Sequence, residues 1–175
     1  MEVFEAIYKR HSYRGEFKKS PVPREDLKKI VDAGIHAPSG TNAQTTDFII
    51  ADDAELIQQI YRIVGSPVLS SARAVIVCIA EAKAVYKGMS FEVEDCSAAV
   101  ENMLLAVTAL GYATVWLDGV LRREEKARRI AELFAIPPGK TIRVILPLGV
   151  PVEEKKQKEK KTFDERAWFN RYGGA

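Results

Sequence analysis

Histidine and cysteine are almost missing from this 175-residue chain: His11 and His36 are its histidines, Cys78 and Cys96 its cysteines. A zinc site needs clustered ligands that this composition does not offer, so no metal is expected. Cys78 lies in Ala74-Val75-Ile76-Val77-Cys78-Ile79, where a small buried thiol fits as packing. Cys96 falls near a predicted helix start, and two readings stay open for it: a small hydrophobe, or a thiol whose pKa the helix dipole lowers. Neither G-x-G-x-x-G nor G-x-x-x-x-G-K-[ST] occurs, which leaves a Rossmann nucleotide domain and a P-loop unsupported. No apolar run reaches the ~20 residues that span a bilayer. Met1-Glu2-Val3-Phe4 enters a helical pattern with no basic-then-apolar leader, so the expectation is a cytoplasmic protein with no membrane partner. A formal charge of +2 is close to balance and argues against nucleic acid as a partner.

What is present fits one domain over 1–175, long enough for a substantial core and open to dimerisation. Val3, Phe4, Ile7 and Tyr8 fall at helical spacing. Ser20-Pro21-Val22-Pro23 opens a second helix with Leu27, Ile30, Val31, Gly34 and Ile35 on one stripe, and Pro38 closes it. A strand is predicted over 47–51, then a helix carrying Leu56, Ile57, Ile60, Ile63 and Val64, then a central strand over 74–80. Asp95 reads as the N-cap of a long helix to Leu110, stopped by Gly111. A strand over 113–117, an amphipathic helix over 123–134 and a strand over 141–148 follow. This alternation argues for a sheet covered by helices on both faces and leaves strand direction open. Residues 153–161 are rich in lysine and glutamate, while Phe163, Trp168, Phe169 and Tyr172 make the following tail too aromatic for ordinary disorder.

Three short segments are candidates for chemistry. Arg10-His11-Ser12-Tyr13-Arg14 places two guanidinium forks and a hydroxyl within five residues, a set suited to phosphate. A solvated basic cap on a helix C-terminus is the competing reading. Ala37-Pro38-Ser39-Gly40-Thr41-Asn42-Ala43-Gln44 contains ordinary turn formers, which account for Pro38 and Gly40 but not for Asn42 and Gln44 together. Val115-Trp116-Leu117-Asp118-Gly119 reads locally as a core tryptophan followed by a turn.

The order "R-H-S-x-R, then A-P-S-x-x-N-x-Q" resembles the FMN-dependent nitroreductase family. The resemblance extends over most of the chain, from Ala6 to Leu148, and implies an α+β nitroreductase fold: a mixed central sheet covered by helices on both faces, in an intertwined homodimer with two FMN sites at the interface. It assigns Arg10 and Ser12 to the phosphate and ribityl end, His11 to shaping that segment, and Arg14 to the pyrimidine side of the ring. A cation there raises the flavin potential, so Arg14 is the candidate redox tuner, with no catalytic side chain required. Pro38, Ser39, Gly40, Asn42 and Gln44 would come from the partner subunit. Leu117, Asp118 and Gly119 would meet the ring through their backbone, and Lys160 or Lys161 would return to the phosphate. Electrons would pass in ping-pong order from a transient NADH or NADPH to a small electron-poor acceptor such as a nitroaromatic or quinone. Residues 153–175 would reach the partner subunit. Three departures from the family pattern stand out: Thr45 occupies a position where proline is frequent; the mid-chain polar contacts before the central strand have no clear match around Val64 to Ser71, Arg73 adjoining the strand itself; and the 81–94 connection is short, which implies a more open pocket or closure by Tyr86, Met89 and Phe91. The alternatives are a specialised flavin reductase or dehalogenase on the same fold, and a flavin-storage or sensing protein with little turnover.

Overall fold

A computed structural model describes residues 1–174; Ala175, at the end of the expected tail, lies outside the described residues. Among the described residues the elements run α1 Val3–Lys9, α2 Arg24–Ile35, β1 Thr46–Ala51, α3 Ala54–Val64, β2 Ala74–Glu81, α4 Glu92–Ala109, β3 Ala113–Thr114, α5 Lys126–Leu133 and β4 Lys140–Gly149. The strands form one sheet in the order β1-β2-β4-β3. The class is α+β. No described helix is long and apolar enough to cross a membrane.

Every neighbouring pair in this sheet is antiparallel, so the mixed sheet expected from the resemblance is not what a single chain forms. The reason lies in the connections. α3 leads away from the end of β1, and the 3₁₀ turn Pro67–Ser71 packs back on α3. β2 therefore starts where β1 ended, with Val75 opposite Ala51.

The period-2 alternation of β2 sorts the core into two layers. Ala74, Ile76, Cys78 and Ala80 pack with α2 and α4, while Val75, Val77 and Ile79 pack with α3 and α5. With both faces covered, the strand is apolar from Ala74 to Ala80. In β4 the pairing jumps from Cys78↔Val144 to Ile79↔Ile142, which makes Arg143 the extra residue of a bulge. That extra residue lets Ile142 join the α3 layer and Val144 the α2 layer.

Three expectations need adjusting. α4 begins at Glu92 with Phe91 before it, so Asp95 sits inside the first turn rather than at the N-cap. The strand expected over 113–117 shrinks to Ala113–Thr114 plus an isolated bridge from Leu117 to Ile145. The helical spacing of Val3, Phe4, Ile7 and Tyr8 is right, yet these side chains are 58%, 66%, 40% and 69% exposed, and Ala6 is the buried residue of α1. The chain makes an apolar helix face and does not cover it.

Candidate cofactor site

Tyr13 anchors the first segment. It is fully buried, its N–H donates to the Thr114 carbonyl at 2.8 Å, and its hydroxyl donates to the Glu16 carbonyl at 2.6 Å. Residues 10–14 are thereby tied to β3, where Thr114 pairs with Leu148 near the end of β4. With Tyr13 turned inward, its neighbours Ser12 and Arg14 are both exposed. Arg10 follows α1, and its Nε lies 3.4 Å from Glu101 Oε1 on α4. His11 is occupied locally, its Nδ1 hydrogen-bonded to the Lys9 carbonyl at 3.0 Å.

Two further candidate segments share this edge of the sheet. Leu117 exchanges both backbone hydrogen bonds with Ile145, at 3.1 and 3.0 Å, so 117–119 runs on beside β4. Trp116 packs against the α2–α4 core, as its local reading had it. The Asp118 carboxylate accepts two bonds from Arg122, at 2.8 and 2.6 Å, and its carbonyl accepts from the Leu121 N–H, which leaves the N–H groups of Asp118-Gly119 as the part that could meet a ligand. A Cβ added at Gly119 would meet nothing within 4 Å, so this backbone borders open space. The tail approaches from the other side: Gln157 Nε2 donates to the Arg10 carbonyl at 2.6 Å, three residues before Lys160. Lys160 and Lys161 are exposed, and neither they nor Arg14 joins an ion pair among the described residues. The Arg73 guanidinium donates to the Lys18 carbonyl at 2.9 Å.

The Pro38–Gln44 loop is built differently. Thr41, Asn42 and Gln44 have φ of 53°, 57° and 52°. Asparagine tolerates this left-handed region, but for a β-branched threonine it is strain, of about 1–3 kcal/mol, that surrounding contacts must offset. Those contacts come from Asp95, which is 6% exposed: its Oδ1 accepts from the Gly40 N–H and its Oδ2 from the Thr45 hydroxyl, each at 2.8 Å. Ser39 Oγ adds a bond from the Gln44 N–H at 3.0 Å. Phe91 packs so closely on Gly40 that a Cβ there would lie 2.4 Å from its Cδ2. Thr45 therefore replaces the frequent proline with an anchor of its own. Tyr86 and Met89 form a tight exposed turn instead of closing over the loop. A cavity of about 340 Å³ lies under the loop, lined in part by Ser39, Gln44, Asp95 and Thr46, whose buried Oγ1 has no partner among the described residues.

Sequence reasoning missed Asp95, Thr45 and Tyr13 as structural anchors. For Asp95 a signal was available, since it falls one turn before Ala99 on the same buried stripe as Met103. For Thr45 and Tyr13 the signal is tertiary.

The cysteine question resolves toward packing. Burial pushes the Cys96 thiol up to about 11, against the smaller pull of Arg143, and burial likewise raises Cys78 well above its ordinary value. Both thiols should resist a disulfide exchange reagent at pH 8 and react together once the chain is unfolded; fast labelling of one thiol in the native protein would contradict this.

Residues 10–14, 117–119 and 157–161 thus gather at the β3 edge, whereas 38–44 precedes β1 at the other edge. Thr45 also sits at the far end of the strands, its carbonyl accepting from the Glu81 N–H beside Lys140. Three strand spacings separate the edges by ~14 Å, and seven residues of β4 separate the ends by ~24 Å. A group held at residues 10–14 therefore lies a strand length away from the 38–44 loop of its own chain, while 117–119 runs back along β4 toward Arg143 and the first turns of α4.

A family model described as the nitroreductase family matches residues 7–75 and 64–150. An Archaeoglobus fulgidus protein named NADH dehydrogenase/NAD(P)H nitroreductase is 37% identical over 155 residues, 88% of each chain. Among solved structures, an FMN-dependent nitroreductase of Clostridium difficile superimposes with a TM-score of 0.82 at 26% identity, over 96% of this chain and 99% of that one. A nitroreductase of Desulfovibrio desulfuricans in complex with FMN gives 0.81 at 26% identity, over 94% of each. On the family match and the Archaeoglobus relative together, the chain belongs to the nitroreductase family of oxidoreductases.

Proposed function

We propose that the protein is an FMN-dependent NAD(P)H oxidoreductase whose active sites form only between two copies of the chain. The observation that carries this reading is the separation of the candidate segments. The cationic donors of residues 10–14 and 157–161 collect at one corner of the sheet, 117–119 runs along the same edge, and the preformed loop with Asn42 and Gln44 lies beyond the opposite edge. A two-fold dimer brings the loop of one subunit to the donors of the other and makes two equal sites. The uncovered apolar face of α1 supplies surface for such an association.

The residues present fit the phosphate and ring of FMN. Arg10 and Ser12 offer charge-assisted and hydroxyl donors for the phosphate, with Lys160 or Lys161 brought near by Gln157. Arg14, exposed and outside the ion pairs described, would face the pyrimidine side. The Leu117 N–H is taken by Ile145, so the N–H groups of Asp118 and Gly119 are the backbone donors left for the ring edge, and Gly119 borders open space. When bound, FMN supplies the redox step, taking hydride from NADH or NADPH and passing electrons to a small electron-poor acceptor such as a nitroaromatic or quinone, in ping-pong order. The protein binds, orients and sets the potential.

Purified protein should be yellow, with one FMN per subunit in a symmetric dimer. Anaerobic stopped-flow mixing with NADH and with NADPH should bleach the flavin rapidly, and adding an acceptor should restore its colour. If neither nicotinamide reduces it, the protein stores or senses flavin instead. Arg10→Ala should weaken FMN binding by about 1.5–3 kcal/mol, the worth of a hydrogen bond to a charged group. Arg14→Ala should lower the flavin potential more than it lowers occupancy. Potentiometric titration of both variants checks this division, which fails if occupancy falls equally and both potentials stay unchanged.

A further inference from the structure

The loop over 38–44 holds an unfavourable backbone at Thr41 and has no regular secondary structure beyond the 3₁₀ turn Gly40–Asn42. Its shape is therefore set from outside. The contacts that set it converge on the first turn of α4, where one buried carboxylate takes a bond from each end of the loop: the Gly40 N–H at its start and the Thr45 hydroxyl just past its close. We propose that Asp95 is the positioning residue of this loop, and that Thr45 is its required partner, so that together they fix which face of Ser39–Gln44 is presented to a cofactor in the partner subunit.

Three features support a positioning role beyond packing. First, Asp95 departs from the helix-capping role its sequence position suggests. It lies inside the first turn of α4 and turns its carboxylate to another segment of the chain, fifty-five residues away at Gly40. Second, burying a carboxylate is unfavourable unless its oxygens are satisfied, and here each oxygen has one donor from the loop. Moving the loop leaves both oxygens unpaired in a site that is 6% exposed. Third, Phe91, the residue before α4, occupies the space that a side chain at Gly40 would need. The start of α4 thus grips the loop by charge on one side and by shape on the other. Thr45 also ties the grip to the sheet through its backbone, since its carbonyl accepts from the Glu81 N–H at 3.0 Å.

This inference rests on the flavin reading for its functional consequence, but the grip itself can be measured without flavin. Thr45→Val removes the hydroxyl at nearly constant shape, Thr45→Ser keeps it, and Asp95→Ala removes both bonds. In the apoprotein, hydrogen–deuterium exchange of a peptide spanning residues 38–48 should accelerate in Thr45→Val and Asp95→Ala and stay at the wild-type rate in Thr45→Ser. FMN titration should show affinity weakened by about tenfold in Thr45→Val, as a lost bond to a buried charged group implies. Thr45→Ser should bind as the wild type does. Thr45→Val does not delete a charge, so it carries the test if Asp95→Ala fails to fold. Wild-type exchange and wild-type FMN affinity in Thr45→Val would overturn the inference. A wild-type protein that takes up no FMN would instead overturn the flavin reading, and the exchange rates would still decide the grip.

Discussion

A chain ending at Lys161 should sediment as a monomer and lose its FMN. The tail beyond that point makes little use of its own subunit. Phe163, Phe169 and Tyr172 are 61%, 77% and 90% exposed, and the aromatics contact mainly one another, Phe163 with Phe169 at 5.9 Å and Trp168 with Tyr172 at 4.2 Å between ring centroids. Tail docking on its own subunit, the ordinary fate of a terminus, would have buried them. Each such ring gains about 1.5–3 kcal/mol when fully buried, so three of them transferred to a partner account for several orders of magnitude in a dimerisation constant. The body of the tail is already led toward an interface, because Gln157 binds the Ile7 and Arg10 carbonyls at the end of the exposed face of α1. FMN should leave in parallel, since a lone subunit keeps the cationic donors of residues 10–14 at one corner of the sheet and the 38–44 loop at the other. Sedimentation velocity with absorbance at a flavin wavelength reads both outcomes at once. A folded, dimeric truncation that binds FMN as the full chain does would remove the cross-subunit role of the tail.

Elements built on local pattern were legible in the sequence, and elements built on long-range pairing were legible only in outline. α2 and its stripe, the apolar run of β2 and the Gly111 stop of α4 follow from periodicity and backbone preference, which need no partner to act. Strand direction needed the path of α3 and the turn after it, which no period encodes. Asp95 was misread because a carboxylate near a helix start is a good N-cap by local rules, whereas its buried position rewards a bond to Gly40 fifty-five residues away. The short β3 has a similar cause: the chain leaves the ladder after Thr114 and returns for the single bridge at Leu117. The candidate segments themselves were visible because each is a compact set of donor and turn-forming residue types in a short stretch of sequence. Their separation into two corners was invisible, since it is a property of sheet order.

Gly40→Ala should reduce FMN affinity by roughly ten- to a hundredfold while leaving the fold intact, as overpacking by one methyl costs about 1–3 kcal/mol. The new Cβ would lie 2.4 Å from Phe91 Cδ2, 2.9 Å from its Cγ and 3.0 Å from its Cβ, so rotating the ring alone does not make room. Either the loop or the start of α4 must move. Both movements stretch the 2.8 Å bond from the Gly40 N–H to Asp95, which holds the loop in its strained form. Alanine meets no backbone penalty of its own at this position, because Gly40 is absent from the positive-φ residues. The clash with Phe91 is therefore the whole effect, and a second substitution can cancel it. Phe91→Ala opens the space, so the double variant Gly40→Ala/Phe91→Ala should bind FMN more tightly than Gly40→Ala alone, giving a coupling energy that a double-mutant cycle measures directly. Additive losses in that cycle would mean that Phe91 does not shape the loop, and full affinity in Gly40→Ala would mean that the loop does not face the cofactor.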